Sequence, residues 1–144
     1  MKTTHRPYSE EVGDYNRLAR FIVDHDADIR RYSTWCIGRF VDWKYGVYEN
    51  KTTVPDFCSR NAQLWFDAFQ AVAGFVIAED GGPGFAIITR AGYRLLFAEM
   101  LAWVVQNWGK RGPQLSIEIT EQQTLEAGIL EQYAFSHARP HTQR

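Results

Sequence analysis

Residues 85 to 104 read FAIITRAGYRLLFAEMLAWV. A strand-like run rich in Phe and Ile, Phe85 to Thr89, passes through a single glycine flanked by two arginines into a long apolar pattern at helical spacing. The junction holds Arg90, Gly92 and Arg94. The first turn of a helix leaves backbone N–H groups unpaired and carries partial positive charge, so an anion such as a phosphate can settle there. The plainer alternative is that Gly92 only turns the chain while both arginines lie in solvent.

Upstream, Gly81-Gly82-Pro83-Gly84 breaks the chain sharply, and the runs AQLWFDA and QAVAGFVIAED read as a strand pair that FAIIT joins as a third antiparallel neighbour. Further back, SEEVGDYNRLARFIVDH carries apolar residues at 12, 15, 18, 19, 22 and 23, which is helix spacing, with Ser9, Glu10 and Glu11 suited to the helix start. A second helix is expected from about Ile29 to Tyr45, then a loop around Pro55. Before both lies a short extended start, Thr3 to Tyr8. Downstream, the central helix is expected from about Tyr93 to Trp108 and ends at Gly109. QLSIEIT then alternates as a strand and EQQTLEAGILEQYAF returns to helical spacing. The predicted order is β-α-α-β-β-β-α-β-α, one α+β domain over residues 1–135 with a polar tail at 136–144.

The 144-residue chain is 45% apolar, enough to bury a core, and its 16 basic and 17 acidic residues nearly cancel. That balance argues against broad electrostatic capture of nucleic acid or an anionic membrane, so any anion site is local. No leader pattern opens the chain and the most apolar run, Leu95 to Val105, is interrupted by Glu99, so a cytoplasmic protein is expected. Cys36 and Cys58 lack Cys-x-x-Cys spacing and read as buried thiols. His137 and His141 are four apart, but Pro140 disfavours the helix that would align them, and no metal site is expected.

The order of elements and three stretches of texture resemble the GNAT superfamily of acyl-CoA-dependent N-acetyltransferases. HRPYSEEVGDYNRLARFIV is similar to the first strand and helix of one group of these proteins. In TRAGYRLLFAEMLAWV, Tyr93, Arg94, Leu95, Glu99, Met100, Leu101 and Trp103 resemble its pyrophosphate loop and central helix. In LSIEITEQQTLEAGILEQYAF, the Glu121 spacing with Leu130 and Phe135 resembles its fifth strand and fourth helix. The resemblance implies a three-layer α/β/α fold with a mixed, mostly antiparallel sheet, and acetyl-CoA bound between the fourth and fifth strands. It implies that Ile87, Ile88, Thr89, Arg90, Gly92, Tyr93 and Arg94 hold the cofactor, with Lys110 or Arg111 meeting an adenosine phosphate. An acetyl group would pass to the amine of a small molecule or peptide.

Three departures accompany it. The family's Gln/Arg-x-x-Gly-x-Gly/Ala loop falls on Arg90-Ala91-Gly92-Tyr93-Arg94-Leu95, which keeps little of it. Leu130 stands where many members carry a tyrosine acid. The usual closing hairpin has no counterpart before HARPHTQR, so the expectation is a further C-terminal segment, a second copy that completes the sheet, or a trimmed fold. The loop and Leu130 also motivate an alternative, a catalytically silent module that binds a ligand or a protein.

Acetyl transfer to an amine needs an anchored thioester, a polarised carbonyl and a proton acceptor. Glu118 on the fifth strand and Glu79 after the third are the candidate bases, each also readable as an exposed strand glutamate. Tyr32, Trp35 and Trp43, with Phe40, Tyr45 and Tyr48, are candidates for an acceptor pocket or for core. No Gly-x-Ser-x-Gly, Walker loop or His-Glu-x-x-His is present, so hydrolase, nucleotidase and zinc protease readings have no foothold.

Overall fold

The computed structural model describes residues 2–33, 35–45, 56–119, 123–133 and 135. Expectations placed on the loop around Pro55, on Tyr48, on Glu121, on His137 and His141 and on the tail lie outside them, as does the side chain of Tyr32. The elements are β1 (Thr4–Pro7), α1 (Asp14–Asp24), α2 (Asp26–Tyr32), α3 (Ile37–Tyr45), α4 (Phe57–Arg60), β2 (Ala62–Phe66), β3 (Val72–Ile77), β4 (Gly84–Thr89), α5 (Leu96–Trp108), β5 (Ser116–Ile117) and α6 (Thr124–Gln132). The architecture is α+β, with a five-stranded mixed sheet in the order β1-β2-β3-β4-β5. Pairing is antiparallel from β1 to β4 and parallel between β4 and β5. Among the described residues no helix is long and apolar enough to cross a membrane.

Both faces of the sheet are covered. Leu64, Phe66, Phe75, Ile77 and Ile88 pack under α1 to α4 with Leu18, Ile22, Trp35, Phe40 and Trp43. On the opposite face Trp65, Val76, Phe85 and Ile87 pack with Phe97, Met100, Leu101 and Val104 of α5 and Leu130 of α6. Double coverage explains why every residue of β2 and β3 is buried, and why β3 is an unbroken apolar run instead of an alternating one. In β3 the faces alternate only after a bulge: Phe66 pairs with Val72 while Trp65 pairs with Gly74, leaving Ala73 extra. Gly74 has no room for a side chain, because a Cβ there would lie 2.6 Å from the Ile88 carbonyl oxygen and 3.1 Å from Met100.

Three expected boundaries move. The helix expected over 29–45 is two, α2 and α3, because Ser33 is fully extended (φ −151°, ψ 159°) and its hydroxyl accepts the Trp35 N–H at 3.1 Å. The acidic start of the first helix is a 3-10 turn over Glu10–Val12 closed by Gly13 at φ +80°, and α1 begins only at Asp14. The central helix starts at Leu96 instead of Tyr93, after a tight turn in which the Leu96 and Phe97 amides donate to the Tyr93 and Arg94 carbonyls. Cys36 and Cys58 are half-buried and outside any disulfide, not fully buried.

The entry to α1 is held by charge. Asp14, fully buried, accepts hydrogen bonds from the guanidinium of Arg6, from Arg17 at 2.6 Å and from the Ser9 N–H at 2.8 Å. Arg6 also lies over the Phe66 ring, which ties β1 to the core.

Candidate functional site

Beyond Phe85 the sheet opens. Among the described residues, β4 and β5 pair at Gly84 with Ser116 and at Phe85 with Ile117 and no further. β4 itself continues to Thr89 while paired on its other side with β3. In an antiparallel pair alternate residues turn their backbone groups away from the partner. The outer edge of Ile87, Ile88 and Thr89 therefore offers N–H and C=O groups to whatever fills the gap. A cleft of about 160 Å³ lies here, with these three residues as one wall.

The mouth of the cleft is the loop after β4, with Ala91, Gly92 and Arg94 lining it. Gly92 sits at φ +88°, and a Cβ there would meet nothing within 4 Å, so the corner is open. The N–H groups of Ala91 and Gly92 donate to no acceptor among the described residues. The facing walls are α2, through Asp28 and Arg31 with Ser33 just beyond it, and α6, through Glu126 with Gln123 just before it.

Of the residues expected to hold a cofactor, Ile87, Ile88, Thr89, Gly92 and Arg94 line the cleft and Arg90 and Tyr93 do not. Arg90 points back into the β2–β3 turn, donating to Asp67 at 2.7 Å and to the Val72 carbonyl at 2.9 Å. It also stacks on Tyr93, whose ring centroid lies 4.5 Å from the guanidinium. These partners hold Arg90 away from the cleft lining, and Arg90 is not the solvated arginine of the plainer alternative. Arg94 is engaged as well: its Nε and Nη2 donate to the Glu126 carboxylate at 3.0 and 2.7 Å. Arg111 is remote, since α5 spans about 20 Å at 1.5 Å per residue, and it donates to Asn61 and the Arg60 carbonyl.

Neither expected base lines the cleft. Glu79 follows the end of β3 remote from Gly92, and both its oxygens accept from Arg39, at 2.8 and 2.9 Å. Glu118 is exposed, one residue past β5. Trp35 and Trp43 are both buried in the core, and Trp43 donates its indole N–H to the Ala78 carbonyl at 3.0 Å. The cleft carboxylates are Asp28, which makes no hydrogen bond or ion pair to the described residues, and Glu126, which is buried. Sequence reasoning missed both. Glu126 carried a signal, since it stands four residues before Leu130 on the apolar face of α6; Asp28 carried none.

Neither a known family model nor a curated protein matches the chain.

Proposed function

We propose that the cleft binds acetyl-CoA and that the chain is a GNAT-like N-acetyltransferase acting on an amine. The observation that carries this reading is the parting of β4 from β5 directly beside the open Gly92 loop. An extended arm bearing amides can add to the free edge of Ile87 to Thr89 as a strand would, which supports a pantetheine chain as the occupant. The Ala91 and Gly92 amides, with Arg94, suit the diphosphate that follows such an arm. At about 160 Å³ the cleft is smaller than the roughly 300–1,000 Å³ of a pocket that swallows a whole drug-sized ligand. It takes the reacting end, and the nucleotide lies outside.

Bound there, acetyl-CoA supplies an activated acyl group as a thioester. The chain's part is orientation and charge. An outward N–H on the edge of Ile87 to Thr89 would donate to the acyl oxygen, where negative charge develops as the C–N bond forms and before the C–S bond breaks to release coenzyme A as its thiol, protonated from solvent. On the facing wall Asp28 attracts the cationic amine and receives the proton that the amine loses, a role for which it is better placed than Glu79 or Glu118. Isothermal titration with acetyl-CoA tests the reading, with micromolar to sub-millimolar binding expected; no heat at millimolar cofactor overturns it.

A second reading is favoured by the Arg94–Glu126 pair, which already fills the Arg94 fork. In it the chain is a GNAT-like module that binds a ligand without turnover. Thiol release from acetyl-CoA in the presence of an amine panel, lost in Asp28→Asn, excludes that alternative.

A further inference from the structure

Glu126 is an unusual occupant of its position. It lies on the face of α6 that also buries Leu130, and it is 2% exposed, where an aliphatic side chain would pack without the cost of desolvating a charge. Its partner is more open, with 36% of the Arg94 side chain exposed. The two meet across the cleft, one on the Gly92 loop and one on α6, and both line it. Their contact is bidentate, two guanidinium donors to two carboxylate oxygens, the geometry by which an arginine grips two oxygens of a phosphate.

We propose that Glu126 is a built-in competitor for Arg94, holding the cleft against anions unless a ligand brings enough binding elsewhere to displace it. Glu126 thereby acts as a specificity-determining residue through Arg94. A small free anion meets a negative charge in the corner and gains too little to move it. A ligand whose arm also occupies the edge of Ile87 to Thr89 can exchange its own phosphate oxygens for the Glu126 carboxylate. The identity of that ligand as a coenzyme A thioester rests on the function proposed above; the competition itself does not.

Glu126→Gln keeps the shape and removes the charge. Titration of wild type and variant with inorganic pyrophosphate and, separately, with acetyl-CoA reads the effect. Pyrophosphate binding is expected to tighten at least tenfold in Glu126→Gln, with the gain abolished when Arg94→Met is added. A residue whose role is only to brace α6 gives the opposite sign, weaker binding and a lower unfolding temperature. Unchanged, weaker or undetectable pyrophosphate binding in the variant overturns the inference, even where acetyl-CoA binds wild type and the acyl-transfer reading stands. Tighter pyrophosphate binding with no acetyl-CoA binding in either protein upholds the inference and removes that reading. Should Glu126→Gln not fold, Glu126→Asp withdraws the carboxylate by one methylene and is expected to shift affinity in the same direction.

Discussion

Two tryptophans of one core meet different fates. The indole N–H of Trp43 is bonded to the Ala78 carbonyl, whereas that of Trp35 is buried with no partner among the described residues. Replacing Trp43 by Phe strands a buried carbonyl, while replacing Trp35 by Phe removes an unsatisfied donor. Urea unfolding is therefore expected to find Trp43→Phe more destabilising than Trp35→Phe by about 1–2 kcal/mol. Asp28 is the corresponding test at the cleft: Asp28→Asn is expected to lower kcat by roughly 10²-fold with little change in the KM for acetyl-CoA, as initial rates will show. At this scale sequence legibility followed backbone proximity. Ile87 to Thr89 and Gly92 could be placed because the cleft is made where a strand runs into a helix. Asp28 and Glu126 come from segments some sixty residues before and thirty after, and only the fold brings them there.

The strands were readable because burial on both faces forces long apolar runs, as in VAGFVI, and because Gly81 to Gly84 punctuates them. The helix break at Ser33 was not, since aromatic spacing continues across it while Ser33 is extended and its hydroxyl takes the Trp35 N–H. Glycine 74 and glycine 92 separate two constraints that look alike in sequence. Gly92→Ala meets only backbone strain at φ +88° and is expected to cost about 1–2 kcal/mol. Gly74→Ala, driven into the Ile88 carbonyl, is expected to cost more than that, and chemical denaturation will rank them.

The joints between elements also set a pH dependence. In Asp14 burial is the largest influence and pushes the carboxyl up, but hydrogen bonds from Arg6, Ser9 and Arg17 outweigh it and hold the carboxyl below its ordinary 3.8. Asp67 is held down chiefly by Arg90, then by the Ala71 and Phe69 amides. A carboxyl depressed in the folded state adds stability above its unfolded pKa and loses it as pH falls through the folded one. The urea midpoint is accordingly expected to be level from about pH 7 to 5 and to decline below about pH 4. Asp67→Asn is expected to make that decline shallower.

For the molecule as a whole, the linear order of elements was legible, and the sheet order follows it strand by strand. The gap was implied by the resemblance and not by the residues themselves: QLSIEIT alternates as a full strand would, yet among its described residues Ser116 and Ile117 alone are in the sheet. The backbone that does not pair is what leaves space beside Ile87. That two-residue attachment has a consequence in time. β2, β3 and β4 follow one another through short connections, whereas β5 and α6 return across α5, with Leu130 packed on the core and Glu126 paired with Arg94. On that count β5 and α6 are expected to open at lower free energy than β2 and β3. Deuterium uptake in native buffer is expected to reach the amides of Ser116, Ile117 and α6 well before those of β2 and β3. A ligand that takes Arg94 from Glu126 removes one of those fastenings, so filling the cleft is expected to speed exchange at the α6 amides.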